Sequence, residues 1–467
     1  MAIKTLHLTN AWHEQSGGVA TFYRALLDAA NRRRQPIRLI VPGAENRVEE
    51  AGAYGRIYFL AARPAPLNPA YRMIFPNRFL LPGSAIQRIL AAERPELVEI
   101  CDKYCLNYLG PLLRLRLLKE VELRPVVVGL SCERMDQNLA VYLHQPAWGR
   151  RFAALYMHYL YFPFFDHHIT VSEHTADELK AAAGAGHMVK RGVWVRPMGV
   201  DFQGFSPDKA SAGARAALVE RVGGRPDSRL LLYVGRLAPE KNLALLIEMM
   251  AQLQADDANY RLVLAGDGIE REALAAAAAQ RAPGRVSLLG HVGEREALSR
   301  IYANSDLFLH PNANEPFGIA PLEAMASGLP VVAPDSGGIK SYANQENAFL
   351  VEGTAAAFAA AVRRAMASPE LRRAKAAAAR ATAEQFSWPA VTDSFLELYD
   401  TIHAVGTGKL SIAEAAPAFC STAAAPRQAT AQGWAARTAR AGFLFYSSVA
   451  GRLRRAESVP EASARPQ

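Results

Sequence analysis

Short apolar runs alternate with amphipathic helical stretches along this chain, twice over. That alternation constrains the fold more than any other feature. The first series places strands at 3–9, 37–41, 56–60, 97–100, 125–130 and 168–171, with helical patterns such as 20–30, 84–93 and 175–183 between them. The second begins after a linker at 200–229. Its strands fall at 230–234, 261–265, 286–289, 307–310 and 330–333, and its helices at 243–253, 270–280, 294–304, 321–327 and 354–366. Apolar strands that each lead into a helix build parallel sheets covered on both faces. The expected fold class is therefore α/β, with two Rossmann-like doubly wound domains, 1–200 and 201–404, and two closing helices over 371–403. At 467 residues the chain exceeds what one core accounts for. Ligands of open α/β sheets lie at the carboxyl ends of the strands, so the expected site is the interdomain cleft.

Composition narrows the class of partner. With 50% hydrophobic and 21% charged residues the chain is not disordered as a whole. No apolar run approaches the roughly 18 residues of a spanning helix, and the first residues lack a signal-peptide core. The four cysteines, Cys101, Cys105, Cys132 and Cys420, form no C-x-x-C pair. They read as free thiols in a reducing cytosol rather than as disulfides or a structural zinc site. The net charge of +9 is uneven: residues 1–200 hold 25 Lys and Arg against 17 Asp and Glu, residues 201–400 hold 20 against 24, and residues 401–467 hold 8 against 3. Such a field favours anionic partners. Nucleic acid is set aside because no recognition motif accompanies the charge. The tail, 405–467, reads as low-complexity and basic, with one candidate amphipathic helix at 434–455.

Three motifs carry chemistry. In the stretch from Glu315 to Glu323 two carboxylates bracket Phe317, Gly318, Ile319 and Ala320. Glu315 is expected in the loop after strand 307–310, and Glu323 in the first turn of the next helix, because Pro321 suits a first helical position. Amides at that helix start favour an anion, and each carboxylate accepts sugar hydroxyls. Further back, Gly235 ends a strand and is followed by Arg236 and Lys241, a guanidinium and an ammonium suited to a diphosphate. Finally, Gly17 and Gly18 lie at the first strand–helix junction, where backbone amides approach a phosphate or a reacting sugar.

Together with Pro197, Gly199 and Asp201 in the linker and Gly266-Asp267-Gly268 after a strand, these motifs make residues 3–400 resemble a retaining glycosyltransferase of family 4, with the GT-B fold. The resemblance implies transfer of a hexose from a UDP- or GDP-linked sugar to a hydroxyl acceptor, without a metal ion or other cofactor. It implies that Arg236 and Lys241 hold the diphosphate and assist catalysis with Glu315. It implies that Glu315 and the Phe317–Ala320 backbone touch the transferred sugar, that Glu323 binds the ribose, and that Gly17 and Gly18 close over the phosphates. Many relatives carry a His after the strand at 126–130. Here Ser131-Cys132-Glu133-Arg134-Met135-Asp136 follows instead, which makes Glu133 and Asp136 candidate contacts to the sugar or acceptor, or else salt-bridge partners of Arg134.

Basic and aromatic residues mingle in the first domain, in Trp148 to Phe152 and Tyr156 to Phe165 among other stretches. They suit either an interface with anionic lipid or a core with solvated arginines. A lipid-linked acceptor in cell-envelope synthesis and a place at the inner face of the cytoplasmic membrane are expected. A soluble transferase on a small acceptor, or a non-catalytic sugar-nucleotide-binding protein, are the alternatives.

Overall fold

The computed structural model describes residues 2–13, 17–65, 71–118, 121–122, 124–142, 146–183, 192–256, 259–412 and 414–415. Cys420 and the candidate helix at 434–455 lie outside them. Two parallel sheets dominate. The strands in chain order are β1 (Thr5–Thr9), β2 (Ile37–Gly43), β3 (Arg47–Ala51), β4 (Gly55–Ala61), β5 (Arg63–Pro64), β6 (Arg72–Met73), β7 (Leu97–Cys101), β8 (Val126–Ser131), β9 (His167–Thr170) and β10 (Val193–Val195), then β11 (Arg229–Val234), β12 (Tyr260–Ala265), β13 (Val286–Gly290), β14 (Leu307–Leu309), β15 (Val331–Pro334) and β16 (Phe349–Val351).

The first sheet has the order β10-β9-β8-β7-β1-β2-β4-β3, parallel except for the edge strand β3, which pairs antiparallel with β4. The second has the order β13-β12-β11-β14-β15-β16 and is parallel throughout. In each sheet the strand order reverses at one place, between β1 and β7 and between β11 and β14. Connections leave in opposite directions there and open a crevice at the carboxyl ends of the strands.

Five helices position the site and its surroundings: α1 (Gly18–Arg33), α2 (Met135–Tyr142), α3 (Pro146–Tyr156), α4 (Ile319–Ala326) and α5 (Trp388–Gly406). Phe22, Tyr23, Leu26 and Leu27 of α1 lie in the core beneath the first sheet, which explains the apolar spacing read at 20–30. The last helix, α5, returns from the second domain to the first. Its Phe395 ring packs 4.7 Å from Phe22, and its Asp393 pairs with Arg32 at 3.4 Å.

The structure departs from expectation in three places. The stretch 200–229 is not a bare linker, because Ala212–Arg221 forms a helix started by Ser211, whose hydroxyl accepts from the Ala214 amide. The strands β3, β5, β6, β10 and β16 are additional; four of them are only two or three residues long, too short for a periodicity to register. The helix expected at 321–327 starts at Ile319, so Pro321 is its third residue and Glu323 falls beyond the first turn.

Candidate active site

The loops after β11 and β14 meet at the second sheet's reversal point. From the first, Lys241 donates to Glu315 Oε2 at 2.8 Å, and Asn312 Nδ2 donates to the same oxygen at 2.9 Å. His310 Nε2 lies 3.6 Å from it. Burial alone would raise the Glu315 carboxyl, but the Lys241 ammonium, then His310 and these hydrogen bonds, hold it down at about 2. Burial works the other way on His310 and keeps its imidazole neutral, down to about 4. Glu315 is therefore a fixed anion beside a fixed cation.

The chain then turns through Gly318, whose φ of +88° is one that residues with a Cβ seldom adopt. The Tyr342 hydroxyl donates to the Gly318 carbonyl. This sharp turn starts α4 with the Ile319 and Ala320 amides at its open end. Phe317 sends its side chain into the core, 5.2 Å from the Tyr342 ring, and only its backbone faces the loop. Further along α4, Glu323 accepts from the Tyr302 hydroxyl at 3.0 Å. Burial raises the Glu323 carboxyl to about 7, against the lowering effect of the Tyr302 bond and Arg295.

The first sheet presents its own reversal point to this loop. Gly18 opens α1, and a Cβ added there would stand 2.5 Å from Cδ1 of Ile319, the first residue of α4. Two helix amino ends thus converge at one place, each carrying unpaired amides and a positive end. Gly17 precedes them with open space where a Cβ would lie. Two hydrogen bonds cross the cleft as well: Ser172 Oγ to the Pro316 carbonyl at 2.5 Å, and Gln137 Nε2 to Asn314 Oδ1 at 3.2 Å.

Arg236 follows the Gly235 turn, and its exposed guanidinium meets Glu240 at 2.9 Å. It also acts across the cleft: burial, and then the Arg236 charge, lower His13 to about 4. At the end of β8, Asp136 receives Arg134 through both carboxylate oxygens, at 3.0 and 2.6 Å. Glu133 is raised by burial and accepts from Asn138 Nδ2 at 2.8 Å, beside Lys103, which is itself paired to Glu178 at 2.6 Å. Asp136 is therefore committed to Arg134, and Glu133 is the one of the two that lies in a small polar cluster at the strand end.

Of the residues expected from sequence, Lys241 and Glu315 pair and Gly18 meets Ile319; His310, Asn312, Tyr302 and Tyr342 line the same loops without having been expected. His310 was legible as the end of an apolar strand at the reversal point. The tyrosines carry no local signal, because Tyr302 reaches Glu323 from the helix Arg295–Ala303 and Tyr342 reaches Gly318 from just after the turn Gly338–Ser341.

Two facing doubly wound sheets, with cations, carboxylates and two helix amino ends lining the space between, define the GT-B class of glycosyltransferase. Two family models match the chain: "Glycosyltransferase Family 4" over residues 16–203 and "Glycosyl transferases group 1" over residues 216–382. The chain belongs to this glycosyltransferase family. It is 28% identical over 397 residues to a GDP-mannose-dependent alpha-(1-6)-phosphatidylinositol dimannoside mannosyltransferase of Mycobacterium tuberculosis, which covers 84% of this chain and 95% of the relative. It is 36% identical over 208 residues to a GDP-mannose-dependent alpha-mannosyltransferase of Mycolicibacterium smegmatis, covering 44% of this chain and 50% of that one. Among solved structures, sucrose-phosphate synthase from Thermosynechococcus elongatus superposes with a TM-score of 0.66 at 21% identity, over 86% of this chain and 100% of that one. Anabaena HepE in complex with UDP-glucose gives 0.62 at 18% identity, over 85% of this chain and 100% of that one. No helix among the described residues is long and apolar enough to cross a membrane.

Proposed function

We propose that this glycosyltransferase moves a hexose from a UDP- or GDP-linked donor to a hydroxyl of a lipid or lipid-linked acceptor, with retention of the anomeric configuration. The observation that carries this reading is the convergence of the α1 and α4 amino ends over the Lys241–Glu315 pair. A sugar-nucleotide diphosphate lies between those ends, with Lys241 and Arg236 neutralising the charge that develops on it. This arrangement meets the leaving group's charge without a metal ion. Glu315 and the Gly318–Ala320 backbone hold the hexose, and Glu323 holds the ribose diol.

In the step itself the bond from the anomeric carbon to the diphosphate oxygen breaks. The acceptor hydroxyl bonds to that carbon from the same face, and its proton passes to the departing phosphate oxygen. Orientation and charge stabilisation account for the acceleration. The first domain, with its basic excess, receives the acceptor, and Glu133 is a candidate contact to it. The name of one relative, a phosphatidylinositol dimannoside mannosyltransferase, supports a lipid acceptor. A lipid acceptor in turn places the enzyme at the cytoplasmic face of a membrane.

The test is a thermal-shift panel of UDP, GDP and ADP with their sugars, followed by transfer assays with the nucleotide that binds. One nucleotide should raise the melting temperature by mass action. Transfer should fall sharply in Glu315→Ala. The absence of any shift, or transfer unaffected by Glu315→Ala, would overturn the reading.

A further inference from the structure

The aromatic segment after α2 is neither all core nor all surface. Gly149, Ala153, Tyr156 and Met157 face inward and are buried. Trp148, Phe152, Leu155 and Tyr159 stand on the outer side with 57%, 45%, 52% and 56% of their surface exposed. Their spacing of four, three and four residues puts them in one line along a helical face. The line runs from α3 into the π turn Met157–Tyr161, where Leu160 is also 43% exposed. Trp148 and Phe152 stack in parallel at 5.6 Å, so the ridge holds together without a covering element. A ridge of four large apolar side chains in water marks an interaction site.

Charge indicates what covers it. Arg150 and Arg151 are exposed on the same helix, and neither forms an ion pair among the described residues. No Asp or Glu occurs between Asp136 and Asp166. A symmetric contact with a second copy of this chain would set these arginines against their own counterparts with no carboxylate to meet them. An anionic lipid headgroup layer complements both features: Arg151, about 70° around the helix from the ridge, at the phosphates, Trp and Tyr at the interface, Phe and Leu just below.

Position supplies the link to chemistry. The ridge helix α3 packs along α2. That helix reaches the cleft, touching the Pro239–Lys241 turn and bonding Asn314 through Gln137. We propose that Trp148, Phe152, Leu155 and Tyr159, with Arg151 at their flank, form the docking surface for an anionic bilayer, with α2 between the lipid interface and the cleft. This surface rests on the lipid-acceptor reading and gives it a location.

The test is flotation of the full chain with vesicles of phosphatidylcholine containing phosphatidylglycerol, and with phosphatidylcholine alone. Two variants accompany it, Phe152→Ser/Leu155→Ser and Arg151→Glu, each checked for melting temperature, nucleotide-induced thermal shift and oligomeric state. The wild type should float with the anionic vesicles and release as salt rises. The apolar variant should bind about tenfold more weakly or worse. The charge variant should lose about fivefold or more. Both should keep the wild-type nucleotide shift. Flotation unchanged in both variants, or a wild type that ignores anionic vesicles, would overturn the docking surface. So would a wild-type dimer that the apolar variant dissolves while neither floats. A wild type that floats but binds no nucleotide would instead count against the donor site, not this surface.

Discussion

Tyr399 donates a 2.6 Å hydrogen bond to Glu99, a residue 300 positions earlier, inside the core of the first domain. Both side chains are fully buried, and the same carboxylate accepts from Tyr23 at 2.9 Å and meets His7 Nδ1 at 2.9 Å. A buried carboxylate is tolerable only when its oxygens are met by donors. The helix α5, which begins beside the second domain at Trp388, thus provides one donor that the first domain's core requires.

Tyr399→Phe keeps the ring packing and removes that donor. It should destabilise the protein by about 1–3 kcal/mol. Urea unfolding followed by circular dichroism checks this, with transferase activity largely retained in the folded fraction.

Removing Lys241 should cost more in catalysis than in folding. Lys241→Ala leaves Glu315 without its nearest cation and the diphosphate without an ammonium. We expect kcat/KM to fall about 10²–10³-fold. Lys241→Arg should recover part of that loss, because charge persists although the point geometry does not. Steady-state kinetics with the donor identified by thermal shift decide it.

Glu323 sets a pH dependence. Its carboxyl stands at about 7 in the folded protein because of burial, against an ordinary value near 4.5. Below 4.5 both folded and unfolded chains hold the proton. Between 4.5 and 7 the unfolded chain releases it first, so the stability due to this group falls as pH rises through that window, by up to about 3 kcal/mol. Glu323→Gln should flatten that part of the stability–pH curve measured by denaturant melts. Ribose binding acts in the opposite direction: the ionised carboxylate accepts the diol, so sugar-nucleotide affinity should rise with pH through about 7 in the wild type and stay flat in Glu323→Gln.

Gly18 and Ile319 test the convergence of the helix ends. Gly18→Val brings a branched side chain against Ile319 across the cleft, since even a Cβ there stands 2.5 Å from Cδ1. We expect kcat/KM to drop about ten- to hundredfold as the two ends separate. Ile319→Ala in the same background should restore part of it. Independent, additive effects in that double-mutant cycle would contradict the contact.

The strands at the centres of both sheets, the helix 18–33 preceded by Gly17, and the places of Gly235, Lys241 and Glu315 just after strand ends were legible in the amino-acid order. Each rests on a local pattern: a run of apolar residues, a 3.6-residue period, or a charge placed just after a strand that must end at the ligand side of a parallel sheet. The early start of α4 was not legible. Pro321 is sterically acceptable at either its first or its third position, and the Gly318 turn held by Tyr342 decided between them.

What the sequence by itself determined was the pair of doubly wound sheets and the strand ends from which the site is built, because periodicity and turn chemistry act over a few residues. Only the tertiary structure decided which charges meet. Asp136 went to Arg134, while Glu315 went to Lys241. It also decided that Trp148 and Phe152 face outward while Tyr156 and Met157 of the same stretch face inward. A helical period marks an apolar face, but burial depends on whether another part of the chain arrives to cover it.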